Sequence, residues 1–223
     1  YDDVLDLWRD TGVGYTPTLS VAYGGLWGEN YWYAHDDLWT HPRLNAFIPP
    51  HILQPRSRRR IMAHEGDYNH IDVATIAKAS FDQGGLVQAG GHGQLNGLCT
   101  HWEIWSFAQG GMNPEQALLC GTLNGAKYLG LDKDIGSLET GKLADLIVIE
   151  KGYDPTKNIR DSERIQYTMA NGILYNAATM SEYGVQEPAK PKFFWQSQNQ
   201  GIGIGIPQPE HCASCPGGHA PLW

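Results

Sequence analysis

Residues 112–150, MNPEQALLCGTLNGAKYLGLDKDIGSLETGKLADLIVIE, contain the point at which the chain changes its grammar. Asn113-Pro114-Glu115-Gln116 offers a capping side chain, a proline at the first helical position and an amide two residues later, the pattern of a capping box. Ala117, Leu118, Thr122 and Ala126 follow, so the spacing predicts one helix that runs to a stop near Gly130. After Gly130 the helical period is lost. Gly136 and Gly141 flank a turn region, and 143–150 reads as a strand with a buried, near-continuous apolar run. Residues 164–170 and 173–177 then read as a hairpin about Asn171-Gly172, because Asn-Gly tolerates the two positive φ angles of a tight turn.

Upstream, Val4, Leu5, Leu7 and Trp8 predict a helix over 1–11 that stops at Gly12. The chain thus opens inside a helical pattern, without Met or a signal segment, as expected of one entered mid-domain or stripped of a leader. Alternation over 15–21 predicts a strand, with Pro17 placing it at an edge, an end or a bulge. Periodicity fails over 22–69, where Trp27, Tyr31, Trp32, Tyr33 and Trp39 are interleaved with Pro42, Pro49, Pro50 and Pro55. So long an aperiodic stretch reads as a functional lid or excursion. Helical spacing returns over 70–82, followed by a short apolar strand over 86–90, Gly91-His92-Gly93-Gln94, and a second helix over 101–109. Strands that alternate with helices imply parallel βα units, of which about two are present.

Composition narrows the function classes. With 18% charged and 41% hydrophobic residues, the 223-residue chain is long enough to bury a core and does not read as disordered. A net charge of -8 gives no general basic field for nucleic acid. No apolar run approaches the roughly 20 residues of a membrane-spanning helix. Glycine is enriched, at 27 residues or about 12% against a usual ~7%, which predicts glycine-rich loops among the aromatics.

The 112–150 run resembles the C-terminal stretch of the amidohydrolase superfamily, metal-dependent hydrolases built on a (β/α)8 barrel with a small β-sandwich. The helix from Asn113 is similar to the one after the last barrel strand. Gly136-Ser-Leu-Glu-Thr-Gly-Lys-Leu-Ala-Asp145 resembles the return of the chain into the sandwich. Tyr15-Thr-Pro-Thr-Leu19, Gly24-Gly-Leu-Trp-Gly-Glu-Asn-Tyr31, Gly91-His-Gly-Gln-Leu-Asn-Gly97 and His101-Trp-Glu103 resemble one branch of it. There a TolB-like β-propeller precedes the amidohydrolase on the same, longer polypeptide. The resemblance covers about residues 1–183. It implies an α/β fold in which 1–131 supplies the last βα units of the barrel, with the long aromatic loop 22–69. Residues 132–183 then form a small β module, and 184–223 a Pro/Gly-rich tail.

Candidate site residues follow from position and chemistry. His92 comes immediately after an apolar strand, where barrel enzymes keep their reactive groups, and its glycine neighbours permit close approach of a ligand. Most of the superfamily has Gly-Thr-Asp here, with Asp as metal ligand or general base. This chain has Gly90-Gly91-His92, so imidazole replaces the carboxylate and is read as catalytic or as a metal ligand. The bland alternative is a loop histidine bonded to backbone. His70, Gln94, Asn96 and Glu103 are candidates for substrate contact. For His70 the competing role is a helix cap, and for Glu103, two residues from His101, a surface or interdomain position. Arg56, Arg58, Arg59 and Arg60 read as a solvated face rather than an anion site. Cys212, Cys215 and His219, with His211 nearby, have zinc-like spacing as a separate tail site, although a disulfide competes if the protein is exported.

The resemblance implies a divalent metal, zinc, that polarises a carbonyl and delivers hydroxide to an amide or peptide-like C–N bond of a small substrate. It also implies a periplasmic or secreted location. The family's early His-x-His occurs nowhere in the chain, so a complete metal site is expected only with further residues. Those would come from the rest of the polypeptide, a complementary chain or a homo-oligomer. The competing function is a non-catalytic structural or assembly module derived from a truncated hydrolase barrel.

Overall fold

The computed structural model describes residues 2–22, 25–58, 61–92 and 95–185. Its frame is a pair of parallel strands, β1 (Gly14–Tyr15) and β2 (Leu86–Val87), in register Gly14↔Leu86 and Tyr15↔Val87. Helix α1 (Asp2–Thr11) precedes β1 and ends at Gly12, whose φ of 66° suits glycine. The predicted strand over 15–21 is much shorter. Pro17 has no N–H to give a ladder, Thr18 turns left-handed at φ 52°, and Leu19–Val21 close into a single 3-10 turn.

The stretch read as an aperiodic loop folds into three short helices, α2 (Gly28–His35), α3 (Pro42–Phe47) and α4 (Pro50–Ser57). Pro42 and Pro50 each stand at a helix start, where the missing N–H is harmless. His41 caps α3 by accepting the Leu44 N–H on Nδ1 at 3.2 Å. Pro42 and Pro50 are therefore helix starts here, not breaks, while Pro55 lies inside α4.

Helix α5 (His70–Asp82) leads into β2, and α6 (Cys99–Gln109) follows it. The two helices cross so tightly at Gly110 that a Cβ there would lie 2.4 Å from the Ala74 backbone carbon. Helix α7 (Pro114–Cys120) starts on the expected box: Asn113 Oδ1 accepts the Gln116 N–H at 2.9 Å and Gln116 Oε1 accepts the Asn113 N–H at 3.0 Å. Asn113→Ala is expected to cost about 1 kcal/mol of stability, read as a lower urea midpoint with unchanged slope. The single helix predicted to reach Gly130 breaks instead at Gly121-Thr122, and α8 (Leu123–Tyr128) completes it. The break lets Cys120 O accept the Ala89 N–H, and Asn124 Nδ2 donates to Val87 O, so both pieces pin the end of β2.

The β grammar after Gly130 gives a three-stranded antiparallel sheet: β3 (Leu146–Ile149), β4 (Ile165–Ala170) and β5 (Ile173–Asn176), in the order β3-β4-β5. Asn171 (φ 49°) and Gly172 (φ 80°) form the two-residue turn. The strand read as buried is only half so, with Ile147 50% and Val148 38% exposed. Residues 95–185 thus run from α6 through this sheet.

The core has two parts. One gathers Trp32, Tyr33, Leu38, Leu44, Leu53, Leu98, Trp102 and Trp105; the other lies around Leu19, Ala74, Ala77, Val87, Phe107 and Cys120. Each indole of the first part finds an acceptor: Trp32 donates to Ser106 Oγ, Trp102 to Asp36 Oδ2 and Trp105 to Ser162 Oγ, all within 2.8–2.9 Å. Buried tryptophan needs such a partner for its N–H. Arg43 fastens α3 to the β module by donating to Glu163 O, Ile165 O and Glu150 Oε1. Among the described residues no helix is long and apolar enough to cross a membrane.

Candidate active site

The loops that leave β1 and β2 at their C-terminal ends are tied together by one side chain. Glu103 on α6 is fully buried, and its two carboxylate oxygens accept the Leu19 N–H at 2.9 Å and the Ser20 N–H at 3.2 Å. The Gly90 and Thr18 amides face it as well and favour its charged form. Burial raises the carboxyl above the usual range while these four amides pull it back down. The left-handed backbone of Thr18, costly for a β-branched residue, is held in place by this gathering of amides. Gly90 and Gly91 fit the same close packing: a Cβ on Gly91 would stand 2.7 Å from the Thr100 backbone.

His92 emerges from this loop. It is exposed and lines a cavity of about 410 Å³ with Pro17, Thr18, Val21, Ala22 and Val73. The imidazole, which follows β2, therefore shares its cavity with the segment that follows β1. His70 lies elsewhere, fully buried among the rings of Tyr31 and Tyr68, and Nε2–H donates to Gln109 Oε1 at 2.9 Å. Asn96 lines a second, larger cavity together with His101. The structure thus does not bring His70, His92, Asn96 and Glu103 to one cavity. Glu103 faces backbone amides, a role that its neighbours Trp102, Ile104 and Trp105 signal, since a carboxylate in a helix apolar on every side needs internal partners. Gln94, Arg59, Arg60, Cys212, Cys215 and His219 lie outside the described residues.

Burial lowers the pKa of both His70 and His101. Glu65 opposes the shift at His70 and Glu163 opposes it at His101, while His35 near the former and Arg43 and His41 near the latter reinforce it. An unfolded histidine titrates near 6.5, so below that pH the unfolded chain binds protons that the folded chain refuses. The stability from these neutral rings is complete above about pH 6.5 and is lost as pH falls toward their lower folded values. The urea midpoint is therefore expected to fall between pH 7.5 and 5.5, and an unchanged midpoint would contradict the assignment of neutral buried rings.

Residues 95–174, from α6 to the middle of β5, match the sequence model described as "Amidohydrolase family". The chain is 33% identical over 88 residues to an adenine deaminase of Chelativorans sp., covering 40% of this chain and 15% of that protein. It is 51% identical over 66 residues to a 5'-deoxyadenosine deaminase of Methanobrevibacter smithii, covering 30% and 14%. In three dimensions it resembles a Xaa-Pro dipeptidase solved with methionine in its active site, at TM-score 0.52 and 22% identity, over 78% of this chain and 37% of that one. The chain therefore spans a small part of the curated relatives and under half of the solved structure.

Proposed function

We propose that the chain provides the last βα units of a (β/α)8 metal-dependent amidohydrolase barrel and the β-sandwich module that follows, in an enzyme that hydrolyses a C–N bond of a small amide or peptide-like substrate. The observation that carries this reading is His92, exposed at the C-terminal end of β2 in a cavity shared with the loop after β1. That is where parallel barrels hold their reactive groups. The family segment over 95–174 and the deaminases among its relatives support C–N hydrolysis as the reaction class. The motifs at 15–19, 24–31 and 91–97 are the basis for placing it in the TolB-propeller branch, with an exported location.

The family implies a divalent metal, zinc in this proposal. Among the described residues no three His, Cys, Asp or Glu side chains are grouped to hold one. These residues alone do not fit a metal centre, and no step through a metal is derived from them. What this chain contributes is an imidazole able to accept or donate a proton, on a loop held by Glu103. The proposal draws the remaining ligands from elsewhere in the complete enzyme or from a partner copy.

In the complete enzyme, His92→Ala is expected to lower kcat/KM by about 100-fold or more, the scale of a lost acid–base or ligating group. The melting temperature should change little, since the ring is exposed. Losses of activity that merely track losses of folded protein would make His92 a structural loop residue.

A further inference from the structure

The larger cavity, of about 520 Å³, lies between α3, the start of α6 and the β4–β5 hairpin, and shares no lining residue with the His92 cavity. Its walls are mostly apolar, with Phe47, Ile48, Leu98 and Met180 among them. Its size falls within the range of small-molecule sites, which pair an apolar body with a few fixed polar groups.

Two such groups stand on the wall, and their hydrogen-bond roles can be worked out. Ser162 Oγ accepts the Trp105 indole N–H at 2.9 Å and lies 3.0 Å from His101 Nδ1. Ser162 is buried, and among the described residues its hydroxyl proton has no bonded acceptor other than His101 Nδ1, so it is placed there, which puts the ring proton on Nε2. His101 is then a neutral ring offering Nε2–H as a donor. On the same wall, His41 Nδ1 accepts the Leu44 N–H, so His41 Nε2–H donates to Glu163 Oε2 at 3.4 Å. That leaves Glu163 Oε1 as an acceptor. Burial would raise this carboxyl, but the His41 bond and nearby Arg164 and Arg160 hold it below the usual range, so it is ionised at neutral pH. Arg43, also on the lining, has three of its five N–H groups taken up by Glu150 and two backbone carbonyls.

We infer that this cavity is a ligand site for a neutral, largely apolar molecule bearing an adjacent C=O and N–H, as in a lactam or secondary cis-amide. His101 Nε2–H donates to the carbonyl and Glu163 Oε1 accepts the N–H. The site is independent of the strand-end chemistry: it neither requires a metal nor touches His92.

The probe is 2-quinolone, a flat lactam with an apolar ring, titrated calorimetrically into the full chain beside N-methyl-2-quinolone, which keeps the carbonyl and lacks the N–H. Saturable 1:1 binding of 2-quinolone is expected, with the N-methyl compound about tenfold weaker or worse, the scale of one lost charge-assisted hydrogen bond. His101→Phe should weaken 2-quinolone by a similar factor. Thr168→Trp, an aromatic on a strand position that lines the cavity, should abolish binding while leaving near-ultraviolet circular dichroism folded in character. Absence of saturable binding, equal affinity for the two compounds, or binding that survives Thr168→Trp would overturn the assignment. The two-compound comparison holds on the unmutated protein, whatever the variants do to folding.

Discussion

Glu103→Ala is expected to be among the most destabilising single substitutions in the chain, at about 3–5 kcal/mol. The carboxylate is fully buried, bonds the amides of Leu19 and Ser20, and is faced by those of Thr18 and Gly90. Its removal leaves these N–H groups facing an empty space in the core, each carrying a desolvation cost that water no longer offsets. It also frees Thr18 to leave its left-handed conformation, so the loops after β1 and β2 should lose their common geometry. Urea unfolding gives the energy, and amide exchange at Leu19, Ser20 and Gly90 gives the location. Glu103→Gln keeps the shape and one acceptor, and should cost less than half as much. Equal costs for the two variants would mean that volume, not amide bonding, is what the residue supplies.

Trp102→Ala should cost a comparable amount, about 3–5 kcal/mol, for a different reason. The indole is fully buried, with ring centroids 5.3 Å from Tyr33 and 6.5 Å from Trp32, and it donates to Asp36. Truncation opens a cavity the size of two rings and takes a donor from Asp36, which also receives Arg160. Trp102→Phe restores most of the volume but not the N–H, and should cost about 1–2 kcal/mol. Against a total stability of roughly 5–15 kcal/mol, the alanine variant is expected to be marginal near 37 °C, and a melting scan will show it.

The sequence was legible where local chemistry and tertiary structure agree. The Asn113 box, the Asn171-Gly172 turn and the period of 70–82 each state their element within a few residues, and the structure has all three. Residues 22–69 were opaque because three helices of six to eight residues are too short to establish a period. Their stability comes from packing Trp32, Tyr33, Leu44 and Leu53 against α6, which no local window contains. The strand over 15–21 failed for a related reason: alternation was present, but Glu103, more than eighty residues away, claims the amides that a ladder would have used. The apolar run of 143–150 suggested burial, yet it says only that a strand forms, not that both faces are covered. At the strand ends, position singled out His92, while the separation of Asn96 into another cavity depends on how the 95–98 turn packs, a non-local matter.

Helix α6 has a consequence for how this chain can change over generations. Six consecutive residues, Trp102 to Phe107, are buried, so the helix has no solvent face along most of its length. Helix α1 buries only Leu5 among its ten residues. Substitutions on α1 meet water and are absorbed; on α6 every direction meets the indole core, the Glu103 amides or the Ser162 contact. Mutational drift is therefore channelled away from 99–107. Two cavities whose chemistries are unrelated inherit the same rigid segment and the same intolerance of change.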